Sequence, residues 1–306
     1  MHMTAEKTVQ NLKGIIAPVT TPFNRRGGVD EGAFRDNMSS YAGSGLAGVL
    51  VAGSSGEAPY LTEGERLRLV EIAREAIKAP QVLLVGTGLE STTATLRLSR
   101  EAIARGADAL LVLTPNYYKP RMNAEALLAH YGTIASGVKR PVLIYSIPQF
   151  TGLTVDPDTL GKLSRLPNVV GLKESSGKLE YVRAVLRKVR AGFRVLVGSA
   201  TILYEALQAG AVGGVLNQAD FVPALCVALY DAFLNRRARE AYALQQRLLP
   251  LADEISVPYG VPGVKVALDL CGYRGGLPRL PLISPSAKSR RQIQAAIREA
   301  CAGLDV

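Results

Sequence analysis

Short apolar runs recur along the first two thirds of the chain, each followed by a small-residue turn and an amphipathic stretch. The runs are apolar at successive positions rather than at every second one, which is typical of strands buried on both faces. They cover residues 14–19, 48–52, 82–85, 109–113, 142–145, 169–173, 195–197 and 213–216. Helical stretches between buried strands indicate parallel crossovers, and eight such units predict an α/β fold, a closed (β/α)8 TIM barrel.

A doubly wound open sheet is the competing architecture. Such a sheet usually has fewer strands and carries a glycine-rich dinucleotide fingerprint after its first strand. The first turn here, residues 20–23, has the sequence Thr-Thr-Pro-Phe and lacks that fingerprint. The pattern therefore favours the barrel over the open sheet.

The strand pattern stops after Asp220. Helical patterns then cover residues 223–251, 264–271 and 286–302. We therefore predict an N-terminal segment (1–13), a (β/α)8 barrel (14–220) and a C-terminal helical extension (221–306) packed on the barrel. Self-association through these helices is a further expectation.

Composition and charge narrow the class of protein. Hydrophobic residues make up 48% of the chain and charged residues 20%, which is typical of a globular protein. The net charge of +10 is dispersed over helix faces, and no basic stripe with interleaved aromatic residues indicates nucleic-acid binding. The chain also lacks an apolar run of membrane-spanning length and a signal-peptide pattern. We expect a cytoplasmic protein that binds neither nucleic acid nor membrane.

Histidine and cysteine are scarce. The two histidines are His2, near the start, and His130, alone in a helical stretch. Neither a histidine-rich metal site nor a Ser-His-Asp relay has the parts it needs. The three cysteines are odd in number and far apart, as expected for reduced thiols. We therefore expect no metal ion and no bound cofactor.

Lys173 is the first candidate for chemistry. Reacting groups in barrel enzymes come from the C-terminal ends of the strands, and Lys173 closes the sixth apolar run. Burial there favours the neutral amine, which can attack a ketone and form a Schiff base. The structural alternative is a lysine that extends out of the barrel into solvent or pairs with Glu174.

Other strand ends carry groups that could serve such a lysine. A Schiff base needs a proton shuttle, and without histidine a phenol can fill that role, so Tyr145 at the end of the fifth run is the candidate. A tyrosine that is only packed is the alternative. Residues 53–57, Gly-Ser-Ser-Gly-Glu, offer hydroxyl and backbone N–H groups that suit a small carboxylate. Leu216, which ends the eighth run, is counted among the predicted substrate contacts.

Together these features resemble the dihydrodipicolinate synthase and N-acetylneuraminate lyase family of class I, pyruvate-handling aldolases. The resemblance runs from residue 14 to about residue 285. It is carried by the 53–57 turn, Pro-Asn-Tyr-Tyr at 115–118, Tyr145, and Gly-Leu-Lys-Glu at 171–174.

The resemblance implies a role for each candidate. Lys173 would form the Schiff base with pyruvate, Ser54 and Ser55 would hold its carboxylate, and Tyr145 would shuttle protons. Tyr117 resembles the tyrosine that completes the proton relay of a neighbouring subunit. The family is commonly a tetramer of two tight dimers. We therefore expect a homotetramer that acts on small molecules, pyruvate and an aldehyde, through a covalent Schiff base, with no cofactor and no metal.

Two positions bear on the second substrate. Dihydrodipicolinate synthases usually carry an arginine after the strand-five tyrosine to bind the carboxylate of aspartate semialdehyde, whereas this chain has Phe150. Ser175 adds a hydroxyl where hydroxy-acid lyases place serine or threonine. Residues 53–62, 114–122 and 145–148 resemble 4-hydroxy-2-oxoglutarate aldolases, which form pyruvate and glyoxylate. That aldolase is the predicted function; dihydrodipicolinate synthase and a barrel that only binds a 2-oxo acid are the alternatives.

Overall fold

Eight parallel strands close into a barrel in sequence order, each pairing with its neighbours in the chain and the last with the first. The computed structural model describes residues 3–303, so His2 lies outside the described residues. The strands are β1 (Gly14–Ala17), β2 (Gly48–Val51), β3 (Val82–Gly86), β4 (Ala109–Leu113), β5 (Val142–Ser146), β6 (Val169–Glu174), β7 (Arg194–Val197) and β8 (Gly213–Val215). The predicted (β/α)8 TIM barrel is confirmed.

Helices surround the strands and continue beyond the last one. Before and between the strands lie α1 (Ala5–Asn11), α2 (Glu31–Tyr41), α3 (Glu63–Ala76), α4 (Thr92–Ala104), α5 (Ala124–Ser136), α6 (Pro148–Thr151), α7 (Pro157–Leu163), α8 (Leu179–Leu186) and α9 (Leu203–Ala209). After β8 come α10 (Pro223–Leu234), α11 (Ala238–Leu251), α12 (Val257–Leu270) and α13 (Ala287–Ala300). Within residues 3–303, no helix combines the length and apolarity that crossing a bilayer requires.

The barrel has two apolar layers, one inside the lumen and one between strands and helices. Along β5, Leu143 belongs to the inner layer and Ile144 to the outer one, and both are fully buried. Successive side chains of a strand point to opposite faces, so a strand buried on both sides needs an apolar residue at each position. This is the physical reason for the continuous apolar runs.

The register of the strands determines which side chains point into the barrel at the site. Tyr145 pairs with Lys173 across β5 and β6, and Lys173 pairs with Leu196 of β7. Paired residues on neighbouring strands share a face, and Tyr145 and Leu196 both belong to the inner layer. The register therefore directs Lys173 into the barrel at the C-terminal ends of its strands.

The helical segment after β8 differs in detail from its prediction. The pattern over 223–251 forms two helices, α10 and α11, and the pattern over 264–271 begins earlier, at Val257. Helix α10 completes the eighth strand–helix unit, with the Tyr230 hydroxyl donating to the Val212 carbonyl at 3.3 Å. Helix α10 therefore belongs to the barrel, although the sequence analysis assigned its residues to the C-terminal extension. The domain boundary at residue 220 stays a prediction.

A buried ion pair fastens α12 to the turn after β2. Lys265 Nζ lies 2.5 Å from Glu57 Oε1 and donates to the Leu277 carbonyl at 2.7 Å. The other Glu57 oxygen accepts the backbone N–H of Arg279 at 2.8 Å. The Lys265 ammonium and the Arg279 guanidinium both lie over the Phe23 ring. Burial lowers the pKa of Lys265 to about 8, against the opposing charge of Glu57. The glutamate of the Gly-Ser-Ser-Gly-Glu turn therefore holds the C-terminal segment beside the open end of the barrel.

We expect Lys265→Met to lower the free energy of unfolding by about 3–5 kcal/mol, because it leaves Glu57 buried without its counter-charge. Urea denaturation measures the change. The matched control is Lys188→Met, which removes an exposed ion pair with Asp158 (2.7 Å) and should cost far less, since solvent screens exposed pairs. Equal losses in the two variants would contradict a stabilising role for the buried pair.

Candidate active site

A cavity of about 790 Å³ lies at the C-terminal end of the barrel. Parallel strands all end at the same rim, so residues distant in sequence meet there. Five of the predicted site residues line the cavity: Ser54, Ser55, Tyr145, Lys173 and Ser175. Two others, Tyr117 and Leu216, do not.

Lys173 lies buried in this cavity, with a residue exposure of 4%. Its Nζ lies 4.4 Å from the centroid of the Tyr145 ring. Within the described part of the chain no carboxylate lies within ion-pair distance of it. Neither structural alternative therefore fits, since Lys173 does not extend into solvent and does not pair with Glu174. A buried amine without a counter-ion is suited to act as a nucleophile.

Two buried carboxyl groups shape the electrostatics beyond the cavity lining. Glu174 is fully buried, and its Oε1 accepts the backbone N–H of Ser176 at 2.7 Å. Burial raises the pKa of Glu174, with the Ser176 hydrogen bond acting against that shift. Burial also raises the pKa of Asp220 well above its ordinary value, opposed by the positive charge of Lys173. Burial therefore favours the neutral form of both carboxyl groups.

The Tyr145 hydroxyl connects the lysine to the turn after β2. It lies 3.2 Å from Ser54 Oγ, and either oxygen can donate this hydrogen bond. The face of the Tyr145 ring lies against the Lys173 amine. A phenol in this position can pass a proton between a group bound at Lys173 and the Ser54 hydroxyl.

The 53–57 turn is held by close backbone contacts. Ala52 and Glu57, on either side of its centre, have positive φ values of 53° and 56°, which non-glycine residues rarely adopt. A Cβ at Gly56 would lie 3.0 Å from the Val19 carbonyl oxygen, and Thr21 Oγ1 donates to the Gly56 carbonyl at 2.8 Å. These contacts present the serines between the two glycines to the cavity.

Ser175 brings an unpaired hydroxyl to the cavity. The residue is buried, and its Oγ has no hydrogen-bond partner among residues 3–303. Its backbone is held by Ser146, whose carbonyl accepts the Ser175 N–H at 3.0 Å, and by Gln149, whose Nε2 donates to the Ser175 carbonyl at 2.7 Å. A side chain at Gly198 would collide with this hydroxyl, so the glycine leaves the space it occupies. The Ser175 hydroxyl is therefore buried next to the cavity with an unused capacity for hydrogen bonding.

Tyr117 lies outside the cavity. Its residue exposure is 76%, and its ring packs edge-to-face on Tyr118 with centroids 5.0 Å apart. Its backbone N–H donates to Glu90 Oε2 at 3.0 Å. This arrangement leaves the side chain free on the surface, and the role of Tyr117 across a subunit interface stays a prediction.

Leu216 lies outside the cavity lining, and its contact with the substrate stays a prediction. Its side chain is fully buried in the outer apolar layer, between strands and helices. Val215 and Asn217, on either side of it, line the cavity instead. Side chains alternate in direction along a strand, and the side chain of Leu216 points away from the lumen.

Several lining residues went unrecognised in the sequence. Ser256 Oγ donates to Asn217 Oδ1 at 3.2 Å and accepts from Gln218 Nε2 at 3.0 Å, forming a polar group at the rim. Asn217 directly follows the eighth run, so the strand-end rule could have found it. Ser256 comes from a π-helical turn, Ala252–Ser256, and Lys178 from the loop before α8, and no local pattern marked either.

Comparisons with known proteins agree with this architecture. The model of the dihydrodipicolinate synthetase family matches residues 11–300. A 4-hydroxy-tetrahydrodipicolinate synthase of Syntrophus aciditrophicus is 33% identical over 287 residues, which cover 94% of this chain and 98% of the relative. The synthase of the same name from Archaeoglobus fulgidus is 31% identical, with the same coverage of both chains.

Solved structures show the same fold. YagE, a prophage protein of the dihydrodipicolinic acid synthase family from E. coli K12, in complex with pyruvate, superposes with a TM-score of 0.89 at 25% identity, over 94% of this chain and 98% of that one. The Cyanidioschyzon merolae enzyme with lysine bound gives a TM-score of 0.88 at 28% identity, over 95% and 98%. By the family match over residues 11–300 and by these relatives, the chain belongs to the dihydrodipicolinate synthetase family and is an enzyme of the lyase type.

Proposed function

We propose that this enzyme forms a Schiff base between Lys173 and pyruvate, and makes or breaks the carbon–carbon bond that joins pyruvate to an aldehyde. The observation that carries the proposal is the Lys173 amine, buried at the barrel rim without a counter-ion and 4.4 Å from the centroid of the Tyr145 ring. Family membership supports the class of reaction, a class I aldolase that uses pyruvate.

In the cleavage direction, the Lys173 amine attacks the C2 carbonyl of the 2-oxo acid, and water leaves to give an iminium ion. The iminium accepts the electron pair of the C3–C4 bond as that bond breaks, which yields an enamine and the aldehyde. Tyr145 takes the proton of the C4 hydroxyl, and the enamine is then protonated at C3. Hydrolysis of the iminium releases pyruvate and restores the amine.

The remaining cavity residues bind and orient the substrate. Ser54 and Ser55 hold the pyruvate carboxylate, and the unpaired Ser175 hydroxyl orients the oxygen at C4. Tyr117 of a second subunit completes the proton relay in a homotetramer, which its exposed position permits. The cycle requires neither a cofactor nor a metal ion.

Two aldehydes are candidates for the other half of the reaction. Aspartate semialdehyde comes first, because relatives that match nearly the whole chain carry the name 4-hydroxy-tetrahydrodipicolinate synthase. Glyoxylate, released from 4-hydroxy-2-oxoglutarate, is favoured by Phe150. This side chain lines the cavity and is 70% exposed, but it cannot form the charge-assisted pair that an arginine would offer to the semialdehyde carboxylate.

Tyr145→Phe should reduce kcat by about 10²–10⁴, because it removes the proton-transferring hydroxyl and keeps the ring against Lys173. Steady-state assays of pyruvate release measure the effect. Tyr204→Phe is the control, since that buried tyrosine lies outside the cavity and should leave kcat unchanged. A Tyr145→Phe enzyme that kept more than about a tenth of wild-type kcat would remove Tyr145 from the mechanism.

The acceptor is identified by comparing kcat/KM for two reactions of the wild-type enzyme. These are condensation of pyruvate with aspartate semialdehyde and cleavage of 4-hydroxy-2-oxoglutarate. We expect turnover in at least one, and the larger kcat/KM selects between the two candidates. Turnover of neither, with a pyruvate-induced rise in Tm, would contradict both and indicate a barrel that binds a 2-oxo acid without converting it.

A further inference from the structure

The charged side chains that line the cavity are all cationic. In the described part of the chain they are Lys173 and Lys178, and the lining contains no aspartate, glutamate or arginine. Schiff-base formation occupies the amine of Lys173. Lys178 then remains as the one free ammonium group of the lining within residues 3–303, in a cavity whose proposed substrates are anions.

Lys178 lies at the N-terminus of α8, where a positive charge does not stabilise the helix. It directly precedes the first turn of α8 and forms no side-chain cap. The positive end of a helix dipole repels a lysine placed there, whereas an acidic or hydroxyl residue would stabilise the helix. Its charge is also unpaired within residues 3–303, in contrast to Lys188, which lies 2.7 Å from Asp158. The same helix terminus and the lysine both attract an anion.

The loop that carries Lys178 is fixed relative to Lys173. Gln149 of α6 donates to the Ser175 carbonyl at 2.7 Å, and the Ser176 N–H donates to Glu174 at 2.7 Å. The Lys178 backbone N–H in turn donates to Ser176 Oγ at 3.2 Å. These bonds join the backbone of the loop to the end of β6, so the exposed Lys178 side chain starts from a braced position at the cavity.

We propose that Lys178 binds the carboxylate of the aldehyde partner and so selects aldehydes that carry an acid group. The inference rests on the proposed function and names the substrate class of the same site. Ser54, Ser55 and Lys173 are occupied by the pyruvate half, and Phe150 offers only an apolar ring at the rim. An acidic aldehyde therefore gains a charge-assisted contact from Lys178 that a neutral aldehyde of the same size does not.

The test compares Lys178→Met with wild type, using pyruvate and three aldehydes: glyoxylate, aspartate semialdehyde and the neutral glycolaldehyde. We expect kcat/KM for the acidic aldehyde that the enzyme uses to fall about 10- to 100-fold, with less than about a threefold change for glycolaldehyde. Lys178→Arg should restore most of the loss. The control is Lys162→Met, on the exposed surface of α7, which should behave as wild type.

The outcomes separate the two proposals. A wild-type enzyme that converts none of the three aldehydes with pyruvate overturns the proposed function, and this inference with it. If wild type is active and Lys178→Met keeps its kcat/KM for the acidic aldehydes, the assignment of Lys178 alone is overturned. An equal loss for glycolaldehyde also overturns it, because that result indicates a general structural role.

Discussion

The burial of one amine at the C-terminal end of the barrel is the constraint on which the site depends. Placing a cation in an apolar interior is costly unless a counter-ion accompanies it, and Lys173 has none within ion-pair distance among residues 3–303. Eight closed strands supply the apolar lumen that surrounds it, and register against β5 and β7 directs it inward. The barrel thus places a lysine amine in an apolar interior without a neighbouring counter-ion, which is the setting that the proposed nucleophile requires.

A second buried lysine, Lys265, differs from Lys173 because it has a counter-ion. Lys265 is as deeply buried as Lys173, but it pairs with Glu57 at 2.5 Å and donates to a backbone carbonyl. Its partner belongs to the same turn that presents Ser54 and Ser55 to the cavity. The structural ion pair and the catalytic candidates therefore share one five-residue turn, which both packs against α12 and lines the cavity.

Much of this arrangement could be predicted from the sequence. Apolar runs buried on both faces identified the strands, and the rule that barrel chemistry lies at strand ends selected Lys173, Tyr145 and the 53–57 turn. The apolar pattern locates a strand end to within about one residue at best, however. Because successive side chains point to opposite faces, such a shift changes which residue faces the cavity. Leu216 illustrates this limit, because its side chain lies in the outer apolar layer while Val215 and Asn217 line the cavity.

Tertiary packing decided the features that the sequence did not reveal. Ser256 reaches the cavity because its π-helical turn packs on the residues after β8, where its hydroxyl bonds to Asn217 and Gln218. In the sequence, Lys178 resembles any solvated lysine. Its position beside the cavity depends on the hydrogen bonds that hold the loop after β6. Neither property is encoded in a local pattern.

The central claim is that Lys173 is the nucleophile, and borohydride trapping with pyruvate tests it most directly. Reduction of the imine followed by mass spectrometry of the proteolytic peptides should locate a pyruvyl adduct on Lys173, and Lys173→Arg should lose it while Lys265 and Lys178 stay unmodified. An enzyme that binds pyruvate but yields no adduct, or that carries the adduct on another lysine, would contradict the account.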